Sequence, residues 1–349
     1  MRHMATTAAA AILLMGVVTG CGLAANKAGT TGNTAGAAPK VNFKVGLVTD
    51  SGGLNDHGFN HLSDEGLKKA EQELGVTGSV VESKSESDYV PNLQRFAQQG
   101  YNLVIAVGFL MDQAVKQVAP QYPNTKFLII DDPITGINNV TSAMFKTEQC
   151  GYLVGALAGL MEKRNDIQGL NPQNVLGVVG GQKIPPVDSY IAGFLQGVKK
   201  TDPDAKVIVK YVNSFNDQAG GSQVAQTEIA GGADIVFQVA GGSGLGVINA
   251  AKSAGVYAIG VDADQNYVAP NTVIVSALKG VDTATYDVIK DTLNNQFKSG
   301  VQYFDLSNNG VGISKTTTVV PADIVSQVND LANQIKNGSL TVSDQLPKS

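Results

Sequence analysis

The chain has 349 residues, of which 43% are hydrophobic, with a formal net charge of −5 and a pI near 5.2. At roughly 100–200 residues per domain, that length allows two domains with large cores. The lack of a basic surplus leaves binding through nucleic-acid phosphates without support, so nucleic acid is not an expected partner.

Arg2 and His3 precede an apolar run over 8–18. The run is shorter than the roughly 20 residues that span a bilayer, so it reads as an export signal. It ends in Val18, Thr19, Gly20 and Cys21, small residues followed by a cysteine, which resembles the lipobox of bacterial lipoproteins. That resemblance makes 1–20 a signal peptide and Cys21 the lipidated first residue of a chain anchored on the extracytoplasmic face of the cell membrane. Residues 22–40, GLAANKAGTTGNTAGAAPK, have no apolar period, so 21–40 reads as a flexible tether. At about 5–6 Å times the square root of its residue number it would hold the domain roughly 25 Å from the lipid. No other segment reaches spanning length.

From residue 41 onward, apolar runs alternate with amphipathic stretches. FKVGLVTD, GSVVES, YNLVIAVG and TKFLIIDD read as strands, separated by the helical patterns HLSDEGLKKAEQEL, YVPNLQRFAQQG and MDQAVKQVAP. A helix follows over about 147–163. It contains Cys150, which has no partner for an internal disulfide and reads as a buried, inert thiol. The rhythm resumes with strands NVLGVVGG, AKVIVKYV, ADIVFQVA, GVYAIGVD and NTVIVSALKG, and helices near 187–200, 217–231, 244–255 and 281–299. Alternation implies parallel sheets, and continuous apolar strands imply helices on both sheet faces. The expectation is an α/β chain with two doubly wound lobes.

Ligands of such sheets bind beyond the carboxyl ends of the strands. That rule selects the loops 50–60, 108–112, 131–132, 180–188, 213–217, 240–246 and 262–266, together with Lys279. The first, DSGGLNDHGFN, lacks the lysine of a phosphate loop and carries acids that repel phosphate. A calcium loop needs oxygen ligands at alternate positions, whereas Gly52 and Leu54 stand there after Asp50. DADQNYVAPNTV starts better, but Tyr267 takes the glycine position and Val273 the closing one.

His57 and His61 share a helical spacing, yet Gly58 stands where a zinc HExxH motif needs glutamate. They read as two exposed histidines at a helix start. His3 is the only other histidine, which also weakens a Ser-His-Asp set. GGSGLG misses the GxSxG elbow at Leu245, and no register of the segment from Gly241 gives GxGxxG, although Asp262 lies near the spacing of a ribose-binding acid. No catalytic set, metal centre or cofactor site is therefore expected.

Acids and aromatics at strand ends remain: Asp50, Asp131, Asp262, Phe59 and Phe215. Carboxylates accept strong hydrogen bonds from ligand hydroxyls, and exposed phenylalanines suit a flat ring. Together these suggest a nucleoside, while composition by itself leaves the ligand open.

GLVTDSGGLNDHGFN resembles the opening motif of the basic membrane protein family of ABC-transporter solute-binding lipoproteins, whose best described branch is the PnrA-like purine nucleoside binders. FLIIDD, EQCGYLVGALAGL, VDSYIAGFLQGV, NSFNDQAGGSQVAQTEIAGGADIVFQVAGGSGLGVINAAKSAGVYAIGVDADQ and VSALKGVDTATYDVI extend the similarity, in the family's order, over 41–300.

The resemblance implies a type I periplasmic-binding-protein fold, with lobes joined by a three-strand hinge crossed near 145, 280 and 302. Lobe 1 would be 41–145 plus about 280–302, and lobe 2 would be 146–279 plus about 303–349. It implies further that Phe59 and Phe215 sandwich the base and that Asp50 and Asn60 bond its edge. Asp131, Gly242, Asp262 and Lys279 would hold the ribose and line the closed cleft, with Asp132 an alternative to Asp131. The implied function is a lipid-anchored substrate-binding protein that delivers purine nucleosides to a membrane permease, which is compatible with a monomer. The alternatives on the same fold are a surface receptor or adhesin, or a binder of another ligand such as riboflavin. A nucleoside hydrolase or NAD-dependent dehydrogenase is disfavoured by the missing metal ligands and the broken GxGxxG. The family usually has serine where Gly58 stands.

Overall fold

The computed structural model describes residues 38–348. The expected signal peptide and the lipidation site at Cys21 lie outside the described residues. The end of the stretch assigned to the tether is tied down: Ala38 N donates to Gln72 O at 2.9 Å and, one residue past that stretch, Val41 N donates to Gly75 O at 3.0 Å. Pairing of backbone groups with the end of the first helix overrides the low apolar content of this stretch.

The first lobe begins with β1 (Lys44–Thr49), α1 (Phe59–Leu74), β2 (Thr77–Val81), α2 (Tyr89–Gln98), β3 (Leu103–Val107), α3 (Asp112–Val118), β4 (Lys126–Ile130) and β5 (Val140–Phe145). The chain then builds α4 (Thr147–Glu162), β6 (Val175–Gly180), α5 (Pro185–Thr201), β7 (Lys206–Tyr211), α6 (Gln218–Ala230), β8 (Ile235–Val239), α7 (Ser243–Ala254), β9 (Tyr257–Asp262) and β10 (Val273–Lys279). It ends with α8 (Val281–Leu293), β11 (Gly300–Phe304), β12 (Val311–Ile313) and α9 (Ala322–Lys336).

These strands form two six-stranded sheets, ordered β11-β5-β4-β3-β1-β2 and β12-β10-β9-β8-β6-β7. All pairs are parallel except β12 with β10. Buried residues occupy all of β3, β6 and β8, as a sheet covered on both faces requires. Helix α1 packs with α8 and α2 with α3 on the first sheet, and α4 packs with α5 and α6 with α7 on the second. The expected two doubly wound lobes are present.

Three strands had no counterpart in the sequence reading: β5, β11 and β12. Strand β5 carries Thr141 and Ser142, both fully buried and polar, so its apolar run is broken. The helix read over 281–299 ends at Leu293, and Asn295 follows with φ 58°. The chain passes between the sheets after Phe145, after Lys279, and between Phe304 and Val311. All three connections leave the carboxyl ends of β5, β10 and β11.

Helices α4 and α5 meet backbone to backbone. A Cβ on Gly155 would stand 2.2 Å from Phe194 O, and one on Gly193 would stand 2.0 Å from Glu148 O. Cys150 lies in the same crossing, fully buried, its Sγ donating to Thr147 O at 3.3 Å, and burial pushes its pKa up. Gly155→Val is expected to destabilise the protein by about 1–3 kcal/mol through overpacking. At Gly312 an added Cβ meets no atom within 4 Å, and Gly312→Ala should change stability by less than about 0.5 kcal/mol. Urea unfolding of both variants checks the pair.

Candidate functional site

The loop after β1 is organised by Asp56. The N-cap residue of α1, Gly58, has no side chain to cap the helix. Asp56 caps it instead: Oδ1 accepts from Gly58 N at 3.0 Å and His61 N at 3.1 Å, and Oδ2 accepts from Asn60 N at 2.8 Å. An acid here suits the partial positive charge of the helix start.

Asn60 then clamps two carboxylates. Its Nδ2 donates to Asp50 Oδ1 at 2.7 Å and to Asp56 Oδ2 at 3.2 Å, while its Oδ1 accepts from Asp50 N at 3.2 Å. Gly52 N also donates to Asp50 Oδ1, at 2.8 Å. Asp50 Oδ2 is left facing Gly108, where a Cβ would stand 3.4 Å away. Burial raises the Asp50 pKa to about 6, against the lowering effect of Asn60 and Gly52.

The facing lobe offers a matching acid. Asp262, the last residue of β9, has φ 62°, and Asp131, just after β4, has φ 71°. Left-handed conformations of non-glycine residues cost of order 1–3 kcal/mol each and gather at functional sites. Tyr190 OH donates to Asp262 Oδ1 at 2.9 Å. Burial raises the Asp262 pKa to about 6, and the charge of Lys279 works against it.

Lys279 ends β10 and is buried in an ion pair with Asp131 Oδ2 across the lobes. Its ammonium lies 4.6 Å from the ring centroid of Phe59, 5.1 Å from that of Phe145 and 5.9 Å from that of Tyr190. Asp132 turns away from the cavity toward Asp112; burial first, and then that neighbour, raise its pKa.

Asp50, Phe59, Asn60, Asp131, Phe215, Asp262 and Lys279 line one cavity of about 60 Å³ between the lobes. Gly242 does not line it. Gly241, with φ 54°, presents its backbone there, while Gly242 sits behind Phe215, where a Cβ would be 3.0 Å from Phe215 O. Two polar side chains outside the residues singled out by sequence also reach the cavity, Asp56 and Tyr190, along with apolar ones such as Phe109, Leu110 and Val187. Asp56 lay within a selected loop, whereas Tyr190 sits inside α5 and no strand-end rule points to it.

Ser243, at a position where GxGxxG fails, fastens the Phe215 loop: its Oγ accepts from Asp217 N at 2.8 Å and donates to Ser214 O at 3.0 Å. Four acids and one lysine among the lining residues make the cavity hostile to anions. Among the described residues no group of three or more His, Cys, Asp or Glu is placed to hold a metal.

The histidines are not simply an exposed pair. His57, at φ 54°, meets Tyr267 OH of the other lobe through Nδ1 at 2.7 Å, and its carbonyl accepts from Gln265 Nε2 at 3.2 Å. These contacts bridge the lobes beside the cavity. A Cβ on Gly58 would stand 3.5 Å from Asp262 Oδ2, ordinary contact distance, so the family's serine would fit and place its hydroxyl by Asp262.

Comparison with known proteins agrees with this architecture. The model of the Bmp family, described as ABC transporter substrate-binding protein PnrA-like, matches residues 43–345. The CD4+ T-cell-stimulating antigen of Listeria innocua is 34% identical over 87% of this chain and 88% of that protein. The ABC transporter nucleoside-binding protein BmpA of Lactococcus lactis is 31% identical over 98% of this chain and 99% of that protein. An ABC transporter solute-binding protein from Aeropyrum pernix superimposes with a TM-score of 0.80 at 28% identity, over 88% of this chain and 94% of that one. The lobes are those of the type I periplasmic-binding fold. Such proteins carry a solute to a membrane permease and are not enzymes. With the family model spanning most of its length, this chain belongs to the Bmp family of PnrA-like ABC-transporter substrate-binding proteins.

Proposed function

We propose that the protein captures a purine nucleoside between its lobes and delivers it to an ABC permease while anchored to the membrane by lipid on Cys21. The observation that carries this reading is the convergence of Asp50 and Asp262 with Phe59 and Phe215 in one interlobe cavity. The printed name of the Lactococcus lactis relative, a nucleoside-binding protein, supports it.

Phe59 and Phe215 stack on the base, and since Lys279 lies over one face of Phe59, the base takes the other. Asp50 Oδ2 accepts from the base edge, held in place by Asn60. Asp131, Asp262 and Lys279 take the ribose hydroxyls. The cavity holds only a few waters at the roughly 10–15 Å³ each needs, so a nucleoside enters with the lobes parted and is enclosed as they close.

Calorimetry on the purified mature protein with guanosine, adenosine, inosine, uridine and riboflavin tests this directly. Saturable purine nucleoside binding without turnover is expected, with no binding of the 5′-monophosphates. Stacking is worth roughly 1–3 kcal/mol per base, so Phe59→Ala should weaken binding about 5- to 150-fold. Unchanged binding in that variant sinks the assignment.

Protonation supplies a second expectation. The empty site holds Asp50 and Asp262 at about 6, and ligand donors favour the ionised form. Affinity should therefore fall as pH drops through 6. Folding runs the other way: with folded pKa values above the unfolded 3.8, the native chain binds more protons between about 4 and 6. The contribution of these two acids to the stability of the empty protein rises as pH falls across that window. Melting curves with and without nucleoside at pH 7.5 and 5 separate the two trends, and parallel trends contradict the assignment.

The Tyr267 hydroxyl closes the cleft against His57. Losing one hydrogen bond of about 0.5–1.5 kcal/mol should make nucleoside dissociate roughly 2- to 10-fold faster from Tyr267→Phe, with little change in association. Surface plasmon resonance reads both rates.

A further inference from the structure

At the end of the second sheet away from the cleft, where strands β6 and β8 begin, two carboxyl groups meet. Glu162, the last residue of α4, lies within hydrogen-bonding reach of Asp234, the residue before β8. Asp234 is 1% exposed and firmly held: its N–H donates to Val175 O at 3.3 Å, its carbonyl accepts from Tyr257 N at 2.8 Å, and its Oδ2 accepts from Asn171 N at 2.6 Å. Asp234 Oδ1 and both carboxyl oxygens of Glu162 are shielded from water and have no donor among the described residues.

The charges around the pair do not compensate it. Asp202, buried just past the end of α5, adds a further negative charge near Glu162, and Asp204 stands on the same rim. The cations of the rim are engaged elsewhere: Lys163 Nζ donates to Thr201 O at 3.4 Å, and Arg164 pairs with Asp166 at 2.8 Å and Asp323 at 2.9 Å. Tyr257, which faces Asp234 from β9, donates its hydroxyl to Gln168 O. The acid pair of lobe 1 differs here, because Asp112 beside Asp132 also forms an ion pair with Lys116.

Two touching carboxylates with no cation beside them cannot both stay ionised, and buried acceptors without donors are costly. One proton removes both faults. It neutralises one acid and supplies the O–H that the other accepts, in a short, charge-assisted hydrogen bond. Asn171 N already favours the ionised form of Asp234, which leaves the proton to Glu162.

We propose that Glu162 and Asp234 share one proton at neutral pH, and that this hydrogen bond is a pH-sensitive lock fastening the end of α4 to the start of β8. The lock holds in neutral and mildly acidic surroundings and opens in alkaline ones, whatever the cleft binds. Burial first, and then the hydrogen bond and charge of Asp234, push the Glu162 pKa from 4.5 up to about 9. Between those values the native chain binds more protons than the unfolded one, so the stability from the pair declines as pH rises and is lost through about 9. Glu228, fully buried against Gly177 with neither oxygen partnered, titrates in an overlapping range, raised by burial to about 8 against the charge of Lys210.

Thermal unfolding of the mature protein between pH 7.5 and 9 tests the lock. The melting point of the unaltered chain should fall across this window by roughly 2–4 °C more than that of Glu162→Gln, whose amide donates to Asp234 at every pH. Asp234→Asn, whose amide donates to Glu162, should flatten the profile in the same way, whereas Glu228→Gln should keep the fall that belongs to Glu162. A second measurement leaves the pair itself intact: in carbon-13 NMR of glutamate-labelled Glu228→Gln, one carboxyl signal should still titrate above pH 8. Equal falls in the unaltered chain and Glu162→Gln overturn the proposal, as does a Glu228→Gln spectrum in which every glutamate carboxyl is ionised by pH 7.

Discussion

The ion pair between Lys279 and Asp131 is the constraint on which the cleft depends. It joins the last residue of β10 in one lobe to the residue after β4 in the other, with both side chains almost wholly buried. Removing two charges from water costs several kcal/mol each, and removing one partner of such a pair costs about 3–5 kcal/mol because the other is left uncompensated. Here the ammonium also lies against the rings of Phe59, Phe145 and Tyr190, which recover part of that cost. The same ammonium lowers Asp262 against the rise that burial imposes. One lysine therefore moderates the charge of a cavity that otherwise holds only acids.

That arrangement equips the cavity to select a ligand by charge and shape. Asp50 and Asp262 sit at the carboxyl ends of β1 and β9, one in each lobe, each steadied by a neutral donor: Asn60 for the first and Tyr190 for the second. Neutral donors leave the carboxylates their charge as acceptors, while burial keeps them near the point of protonation. Asp131 and Asp262 both adopt left-handed backbone conformations. The strain turns the carboxylates into the cavity and is carried by the sheets behind them.

Much of the fold was legible because strands buried on both faces read as unbroken apolar runs, as β3, β4 and β6 do. Strand β5 was not, since Thr141 and Ser142 interrupt its run while still pairing with β4 and β11. For the site, the strand-end rule led to acids that do line one cavity. It could not tell Gly241 from Gly242, or Asp131 from Asp132, because adjacent residues differ only in where the backbone points them. Tyr190 escaped because its role follows from the position of α5 against the cleft, which no local pattern records.

The most direct test of the account is a crystal structure of the mature protein with guanosine. The account predicts the purine between the rings of Phe59 and Phe215, its edge on Asp50, and the ribose hydroxyls on Asp131, Asp262 and Lys279. A nucleoside bound outside the interlobe cavity, or inside it without contact to either phenylalanine, would contradict the account.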